Sequence, residues 1–507
     1  MAAPVAAGQI RFTEPAGRWV VLATVLGSGL AMLDATVVNV ALPRIGEDFG
    51  ADLGDLQWTL NGYTLTLAAF ILLGGSLADR LGRRRVFILG TVWFAAASAL
   101  CGLAPNIEVL IGARALQGVG GALLTPGSLA IIMASFTPED RGRAIGAWSG
   151  LGGIAGAAGP FAGGWLIEVA SWRWVFLVNL PLAVVVVLVA ARHVPESIDP
   201  TATGRLDVTG AALGAVGLAG ITYASIAGGE RGLDPAVLGA GLAGLLALVV
   251  FVLLERRSDH PLVPPGLFAS RQFTVTNIVT FAIYAAFGAV FFLLVLQLQV
   301  VAGFSPLAAG TSLLPVTVLM LVLSAPSGDL ATRIGPRLPM TAGPLVAAAG
   351  LLLTLRIGPG ASYVGDVLPG VLVFGLGLSL LVAPLTATVL AAAPREHAGA
   401  ASGVNNAVAR TASLLAVALL PPLAGLTGEV YRDPDVFAAG YRTAILLAAG
   451  LLVLGGLLSA ALVSNDVGRI GADDGTGALP PDVDHCYSCP VDGPRLETVR
   501  YARGGRP

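Results

Sequence analysis

Lysine is missing from this sequence, and charged residues of any kind are scarce. All 29 basic residues among the 507 are arginine, and charged residues make up 12% of the chain, about half the share found in a typical soluble domain. A mechanism that needs a catalytic lysine is therefore excluded. The net charge of −2 and the lack of a distinctly basic domain also exclude a conventional nucleic-acid-binding protein.

Cysteine occurs only at Cys101, Cys486 and Cys489, so the sequence does not predict a disulfide framework. Cys486 and Cys489 form a CxxC pair after His485, but together these residues supply fewer ligands than a four-coordinate zinc site needs. The sequence also has no P-loop, no nucleotide-binding glycine fingerprint and no nucleophile elbow. We therefore expect no metal site, no cofactor and no ATP-driven pumping.

Apolar residues, in contrast, make up 55% of the chain, and the mean hydropathy is +0.81. The apolar runs are long and do not alternate with polar residues, which indicates membrane-spanning helices rather than the strands of a barrel. Met1 to Gly17 does not have the pattern of a signal peptide. The sequence predicts fourteen spans, at 19–42, 56–77, 86–104, 109–134, 144–168, 174–192, 207–227, 235–255, 274–301, 307–330, 338–357, 365–391, 399–425 and 443–463.

The distribution of arginine predicts the orientation of these spans. If the N-terminus lies in the cytoplasm, sixteen arginines fall on the cytoplasmic side of the membrane and six on the opposite side. Such a bias is typical of cytoplasmic loops. We therefore expect a multi-pass protein of the cell membrane with both termini in the cytoplasm.

A weak internal repeat predicts the domain organisation. Gly75–Arg84, after the second span, and Gly328–Arg337, after the tenth, are identical at six of ten positions. Parallel halves of this kind are typical of secondary transporters, whose substrate site lies between the halves. The predicted parts are a cytoplasmic N-terminus (1–18), an N-terminal six-helix bundle (19–192), a linker with two extra transmembrane helices (193–260), a C-terminal six-helix bundle (261–463) and a disordered cytoplasmic tail (464–507).

Two charged residues inside predicted spans are candidates for transport chemistry. A charge at the centre of a membrane costs roughly 2.5–3.5 kcal/mol, so such residues usually face a water-filled cavity. Asp34 could carry a proton in each transport cycle, or it could form a structural hydrogen bond with Thr36 or Asn39. Arg114 could change the pKa of a nearby carboxylate, or it could bind backbone carbonyls at a helix kink.

Several polar or aromatic residues in or beside the spans are weaker candidates for a central cavity. Trp58 is also explained by a position at the membrane interface, where tryptophan is common. Arg410 is a further charge within a span. The cavity candidates are Asn39, Asn61, Tyr63, Thr64, Gln117, Gln297 and Gln299.

Two glycine-containing segments predict moving or closely packed parts. The arginines after the second span anchor the loop on the cytoplasmic side. Asp79 together with a turn at Gly82 predicts a latch to a neighbouring helix end, which opens and closes between two states. This gating loop contains Gly75, Asp79, Arg80, Gly82, Arg83 and Arg84. In the fifth span, small residues at close-packing spacing surround a proline that bends the helix. They are Gly152, Gly156, Gly159, Pro160, Gly163 and Gly164.

Four segments together resemble the major facilitator superfamily, and specifically its 14-helix drug:proton antiporter branch. Leu33–Pro43 is similar to the first-span motif of that branch, and Gly75–Arg85 to the superfamily's loop between helices 2 and 3. Leu110–Gly121 resembles the helix-4 motif with its proton-coupling arginine at Arg114, and Gly152–Gly164 the helix-5 motif of antiporters. The resemblance covers residues 19–463. In the second loop copy, Thr332 departs from the pattern because it stands where the first copy has Asp79.

The resemblance implies an all-α polytopic membrane protein with the major facilitator fold and 14 transmembrane helices. It implies no enzymatic activity and no cofactor, and transport driven by the proton gradient. The expected function is the export of small hydrophobic drugs or antibiotics by a monomer through alternating access, with the substrate, protons and the lipid bilayer as partners. A narrow exporter of an endogenous metabolite, lipid or siderophore is an alternative, and a non-transporting receptor or scaffold is another.

Overall fold

The structure is a computed structural model that describes residues 10–199, 206–258, 261–393 and 398–465. Most of these residues are helical. The predictions for the tail, including His485, Cys486 and Cys489, lie outside the described residues. The α-helices are α1 (Pro15–Phe49), α2 (Leu53–Leu81), α3 (Arg83–Gly102), α4 (Ile107–Ser135), α5 (Pro138–Val169), α6 (Trp174–Leu177), α7 (Asn179–His193), α8 (Val208–Arg231), α9 (Pro235–Glu255), α10 (Arg271–Leu296), α11 (Pro306–Ser312), α12 (Leu314–Ile334), α13 (Arg337–Leu353), α14 (Leu368–Ala391), α15 (Ala398–Leu423) and α16 (Pro434–Leu462).

Within the described part of the chain, 13 helical segments are long and apolar enough to cross a membrane. The predicted all-helical membrane fold is therefore confirmed, whereas the count of fourteen is not. The remaining predicted span, 144–168, lies in α5, which has 32 residues but is not among the 13. Because glycine adds little to hydropathy, the glycine-rich sequence of α5 keeps its mean hydropathy below that of the other spans.

Two predicted spans are interrupted rather than continuous. The sixth is divided into α6 and α7 at Val178, and the tenth into α11 and α12 at Leu313. A proline follows each break, Pro181 in one case and Pro315 in the other. Proline has no backbone N–H to continue the hydrogen-bond ladder, so a new helix starts around it. The ninth span ends in a π-helical turn, Gln297–Val301.

Local signals set where the first helices begin and end. The left-handed backbone of Gly50, with φ of 64°, ends α1, and glycine adopts this conformation without steric cost. Asp52 and Asp55 then form a capping box at the start of α2. Asn106 accepts a hydrogen bond from Val109 N at the start of α4. These signals define the end of α1 and the starts of α2 and α4, which lie at the same side of the membrane domain.

The helices pack in two main groups. In the first, α4 contacts α1, α2 and α3, and α1 also contacts α5 and α7; in the second, α14 contacts α12 and α13, and α10 contacts α15 and α16. The helices α8 and α9 pack against each other, and α8 also contacts α2 and α15. The division into two bundles with an inserted helix pair stays a prediction. The packing nevertheless surrounds Asp34 with helices from the first third of the chain.

Candidate functional site: a buried ion pair within the membrane helices

A buried ion pair joins α1 to α4. The Nη1 atom of Arg114 lies 2.6 Å from Oδ2 of Asp34, and the two side chains are 1% and 0% exposed. A buried charge is costly unless it is paired and hydrogen-bonded. The structure thus brings together the two residues that the sequence singled out first, and each compensates the charge of the other.

Three neutral polar side chains complete the surroundings of Asp34. Gln117 Nε2 donates to Asp34 Oδ1 at 2.8 Å, and Asn179 Nδ2 donates to the same oxygen at 3.0 Å. Gln117 also donates to Ser98 Oγ at 2.7 Å. Both carboxylate oxygens therefore accept hydrogen bonds, from α4 and α7, and the network extends to α3.

The guanidinium of Arg114 is held on its other sides as well. Its Nε donates to the backbone carbonyl of Thr59 at 3.1 Å, and its Nη1 also donates to Gln117 Oε1 at 2.5 Å. Its Cζ lies 4.5 Å from the ring centroid of Tyr63 and 5.7 Å from that of Phe176. Such aromatic faces stabilise a cation electrostatically, so Arg114 is positioned by α2 and α6 as well as by Asp34.

The contacts that Asp34 makes in this arrangement depend on whether its carboxyl group is protonated. Asp34 is the acceptor in each of its hydrogen bonds with Arg114, Gln117 and Asn179, which suits an ionised carboxylate. A proton on Asp34 removes the charge that balances Arg114 and turns one acceptor oxygen into a donor. The contacts among α1, α4 and α7 must then change. A single proton could thereby alter helix packing at this point.

The other cavity candidates have different surroundings. Asn39 donates to Ala35 O of its own helix at 3.0 Å, and Thr64 to Leu60 O at 3.1 Å. The Nδ2 of Asn61 is buried without a hydrogen-bond partner among the described residues. Tyr63 lies at the site through its contact with Arg114. Trp58 is half-buried on α2.

The two glutamines of the ninth predicted span lie away from the ion pair. Gln297 Nε2 donates to Ile357 O at 2.8 Å, within the second group of helices. Gln299 Nε2 donates to Val40 O on α1 at 3.0 Å. Gln299 therefore links the two groups of helices near one end of α1.

Sequence reasoning did not select Ser98 or Asn179 as site residues. Both are fully buried, and both contact the Asp34–Gln117 pair. Each is a polar residue inside an otherwise apolar run. That signal is weak on its own, because many buried serines and asparagines only bond to their own helix. Proximity to Asp34 could not be read from the sequence.

The predicted gating loop docks on the segment that follows α7. Asp79 forms an ion pair with Arg83 at 2.8 Å, and the backbone of Arg84 donates to Glu196 Oε1 at 3.1 Å. The backbone N–H of Arg83 also donates to Ser197 O at 2.9 Å. Gly82 has φ of 109°, a conformation that favours glycine. The loop thus binds an extended segment rather than a helix end.

We expect Glu196→Gln to slow transport only modestly. Glu196 is partly buried and lies 3.7 Å from Arg84 Nε and 3.6 Å from the exposed Arg85 Nε. Because these distances are long and water screens Arg85, we expect the pairs to contribute about 0.2–1 kcal/mol. The expected loss of transport rate is therefore at most about fivefold. Transport rates at matched expression would measure it, with Glu47→Gln, which removes an exposed pair with Arg44, as the control. A complete loss of transport in Glu196→Gln would show that the docking does more than hold the loop.

The glycine-rich part of α5 packs closely on α1 and α11. A Cβ on Gly163 would lie 3.3 Å from Val37, and one on Gly164 would lie 2.7 Å from Pro306 O. Gly159 faces Thr36, whose Oγ1 donates to Gly156 O at 3.2 Å. Gly152 lies near Met32. These small residues permit close helix approach.

At this end of α5 the two groups of helices are in contact. Glu168 Oε1 accepts from Leu307 N at 3.1 Å, and a Cβ added at Gly310 would clash with the backbone carbonyl of Pro160. Tyr431 OH donates to Ala51 O at 2.9 Å. A cleft of about 740 Å³ lies here, away from Asp34, and is lined in part by Arg44, Glu168 and Arg432.

The opposite end of α5 has no such contact. Gly142 precedes Pro160 by eighteen residues, which is five helical turns, so both lie on the same face. A Cβ on Gly142 or Gly146 would meet no atom within 4 Å, whereas the Pro160 end touches α11. Among the described residues, the face of α5 is thus closed at its C-terminal end and open at its N-terminal end.

Comparisons with known proteins agree with this architecture. A model of the Major Facilitator Superfamily matches residues 24–417. The chain is 36% identical over 495 residues to puromycin resistance protein pur8 of Streptomyces alboniger, which covers 94% of this chain and 97% of that protein. It is 33% identical to the tetracenomycin C resistance and export protein of Streptomyces glaucescens, over 90% of this chain and 83% of that protein.

Two solved structures show the same fold at low sequence identity. The peptide transporter POT in complex with sulfate aligns with a TM-score of 0.64 and 17% identity, over 92% of this chain and 97% of that one. A bacterial homologue of the lysosomal transporter Spinster, in an inward-facing and unoccupied conformation, aligns with a TM-score of 0.61 and 18% identity, over 89% and 98%. The long family match and the two close relatives establish that this chain is a member of the major facilitator superfamily.

Proposed function

We propose that this protein is a proton-coupled exporter of small hydrophobic drugs or antibiotics in the cell membrane. The buried Asp34–Arg114 pair carries the proposal for coupling, because it places one carboxyl group in contact with polar side chains of α4 and α7. The relatives carry the proposal for the substrate class, since their names refer to puromycin resistance and tetracenomycin C export. Both termini lie in the cytoplasm in this proposal, as the arginine distribution predicts.

The asymmetry of α5 supports an alternating-access cycle. Its C-terminal end touches α11, whereas a Cβ at Gly142 or Gly146 near its N-terminal end would meet no atom within 4 Å, so the packing on α5 is tight at one side of the membrane and loose at the other. In the proposed orientation the loosely packed side is the cytoplasmic side. Substrate enters there, and protonation of Asp34 from the other side alternates with substrate binding as the two groups of helices move.

The test is the accumulation of puromycin and of tetracenomycin C in a sensitive bacterial host that expresses the full chain. We expect lower accumulation of at least one compound than in cells without the protein. An uncoupler of the proton gradient should abolish the difference. Efflux that continues undiminished after uncoupling, with ATP depleted separately, would contradict proton coupling.

A narrow exporter of one endogenous compound is the second candidate. It shares every structural feature of the first, and only the range of transported compounds separates the two. If well-expressed protein exports neither puromycin nor tetracenomycin C, a narrow exporter becomes the better description of this protein.

A further inference from the structure

The contact between α2 and α15 contains an unbalanced positive charge. These helices run antiparallel, and two contacts define their register. Gln57 Nε2 donates to Val417 O at one end, and Gly403 lies against Leu72 at the other. Counting inward from both contacts places Arg410 opposite Thr64 and Leu65, at the level of Asn61 and Tyr63.

Arg410 has no acidic partner in the described part of the chain. Its side chain is half-buried, yet none of the ion pairs or side-chain hydrogen bonds found among the described residues includes it. Arg410 lies on α15, which packs against both α2 and α10. Asp34 cannot balance this charge, because Asp34 already pairs with Arg114.

Asn61 provides a second donor without an acceptor at the same level. It precedes Thr64 by one turn of α2, so both face α15. Its side chain is 1% exposed, and its Nδ2 has no hydrogen-bond partner among the described residues. Buried donors are almost always paired, and an intramembrane arginine needs a counter-charge. Both groups therefore lack an acceptor.

We propose that Asn61 and Arg410 bind a carboxylate of the transported molecule, which makes the preferred substrate a hydrophobic acid. A guanidinium binds a carboxylate through two parallel hydrogen bonds, and the Asn61 amide supplies a third donor. Leu65, Ala68 and Leu414 form an apolar cluster beside these donors, which suits a hydrophobic body. The inference rests on the proposed function and narrows its substrate class.

The test compares two probes that differ by one charge. We would measure the binding of 7-diethylaminocoumarin-3-carboxylate and of its uncharged carboxamide to the full chain by fluorescence polarisation, in phosphatidylcholine nanodiscs. We expect the acid to bind about 10- to 100-fold more tightly than the amide, as for hydrogen bonds to charged groups. Arg410→Gln should remove this preference and leave the binding of the amide unchanged. Asn61→Ala should weaken the binding of the acid less than Arg410→Gln does.

Controls separate charge recognition from folding and from coupling. Arg410→Lys keeps the positive charge but not the two parallel hydrogen bonds, so it should keep only part of the preference for the acid. Arg442→Gln removes an arginine elsewhere and should change the binding of neither probe. The proposal would be overturned if the unaltered chain bound acid and amide equally well or did not bind the acid. It would also be overturned if Arg410→Gln weakened the binding of acid and amide by the same factor. Competition by added phosphatidylglycerol would also overturn it, by assigning the site to a lipid headgroup. No proton gradient is present, so the result is independent of proton coupling.

Discussion

Asp34→Asn should abolish uncoupler-sensitive efflux while the protein remains in the membrane. Asparagine keeps the shape of the side chain but cannot gain and lose a proton. It also leaves the guanidinium of Arg114 buried without a counter-charge, which costs about 3–5 kcal/mol when one partner of a buried pair is removed. We therefore expect efflux at the level of cells without the protein, together with a lower thermal unfolding temperature.

A double substitution separates the loss of transport from the loss of stability. Asp34→Asn combined with Arg114→Gln removes both charges, so the protein should recover much of its unfolding temperature, as expected for coupled residues. Efflux should not recover. Asp48→Asn is the matched control, because Asp48 also lies on α1 and pairs with Arg173 at 2.8 Å, but is about half exposed. Uncoupler-sensitive efflux in Asp34→Asn would disprove the role of Asp34 as proton carrier.

Gly310→Val should lower the population of the conformation described above, in which α5 is in contact with α11. Any Cβ at Gly310 meets the backbone carbonyl of Pro160, which cannot move aside without shifting α5. Overpacking of this kind costs typically 1–3 kcal/mol, and such an energy shifts a two-state population by roughly 5- to 150-fold. We expect a large fall in transport because α5 and α11 can no longer close.

The accessibility of a cysteine at position 142 would measure this shift. Gly142→Cys, in a chain with Cys486 and Cys489 replaced by serine, should react readily with a membrane-impermeant maleimide applied from the cytoplasmic side. The addition of Gly310→Val should slow that reaction. Gly112→Val is the matched control, since a Cβ at Gly112 would meet no atom within 4 Å. Unchanged labelling with Gly310→Val would show that the contact does not hold the closed end.

Much of this molecule could be predicted from the sequence because membrane helices carry strong signals. Long apolar runs gave most of the helices, and the rarity of charges inside them drew attention to Asp34 and Arg114. The partners of these residues could not be predicted in the same way. Asn179 reaches Asp34 because α7 packs on α1, and Ser98 reaches Gln117 and Asn179 because α3 packs on α4 and α7. This packing is a property of the three-dimensional fold.

The sequence was least informative where contacts cross between distant parts of the chain. Arg410 drew attention as a charge in a span, but its lack of a partner depends on the register of α15 against α2. The docking of the gating loop on Glu196 likewise depends on where the segment after α7 runs. The glycines of α5 predicted close packing, whereas the contact of Gly164 with α11 required the position of both helices.

The position of α2 between the two charged sites has a consequence for the efficiency of the pump. Tyr63 of α2 lies under Arg114, and the next residue of α2, Thr64, lies opposite Arg410. Every described hydrogen-bond partner of Asp34 lies in α4 or α7, so in the proposed cycle a substrate held at Arg410 does not displace the proton by direct contact. In the proposed cycle, the exchange of proton and substrate therefore depends on the stiffness of α2, and a more flexible α2 would let protons cross the membrane without substrate.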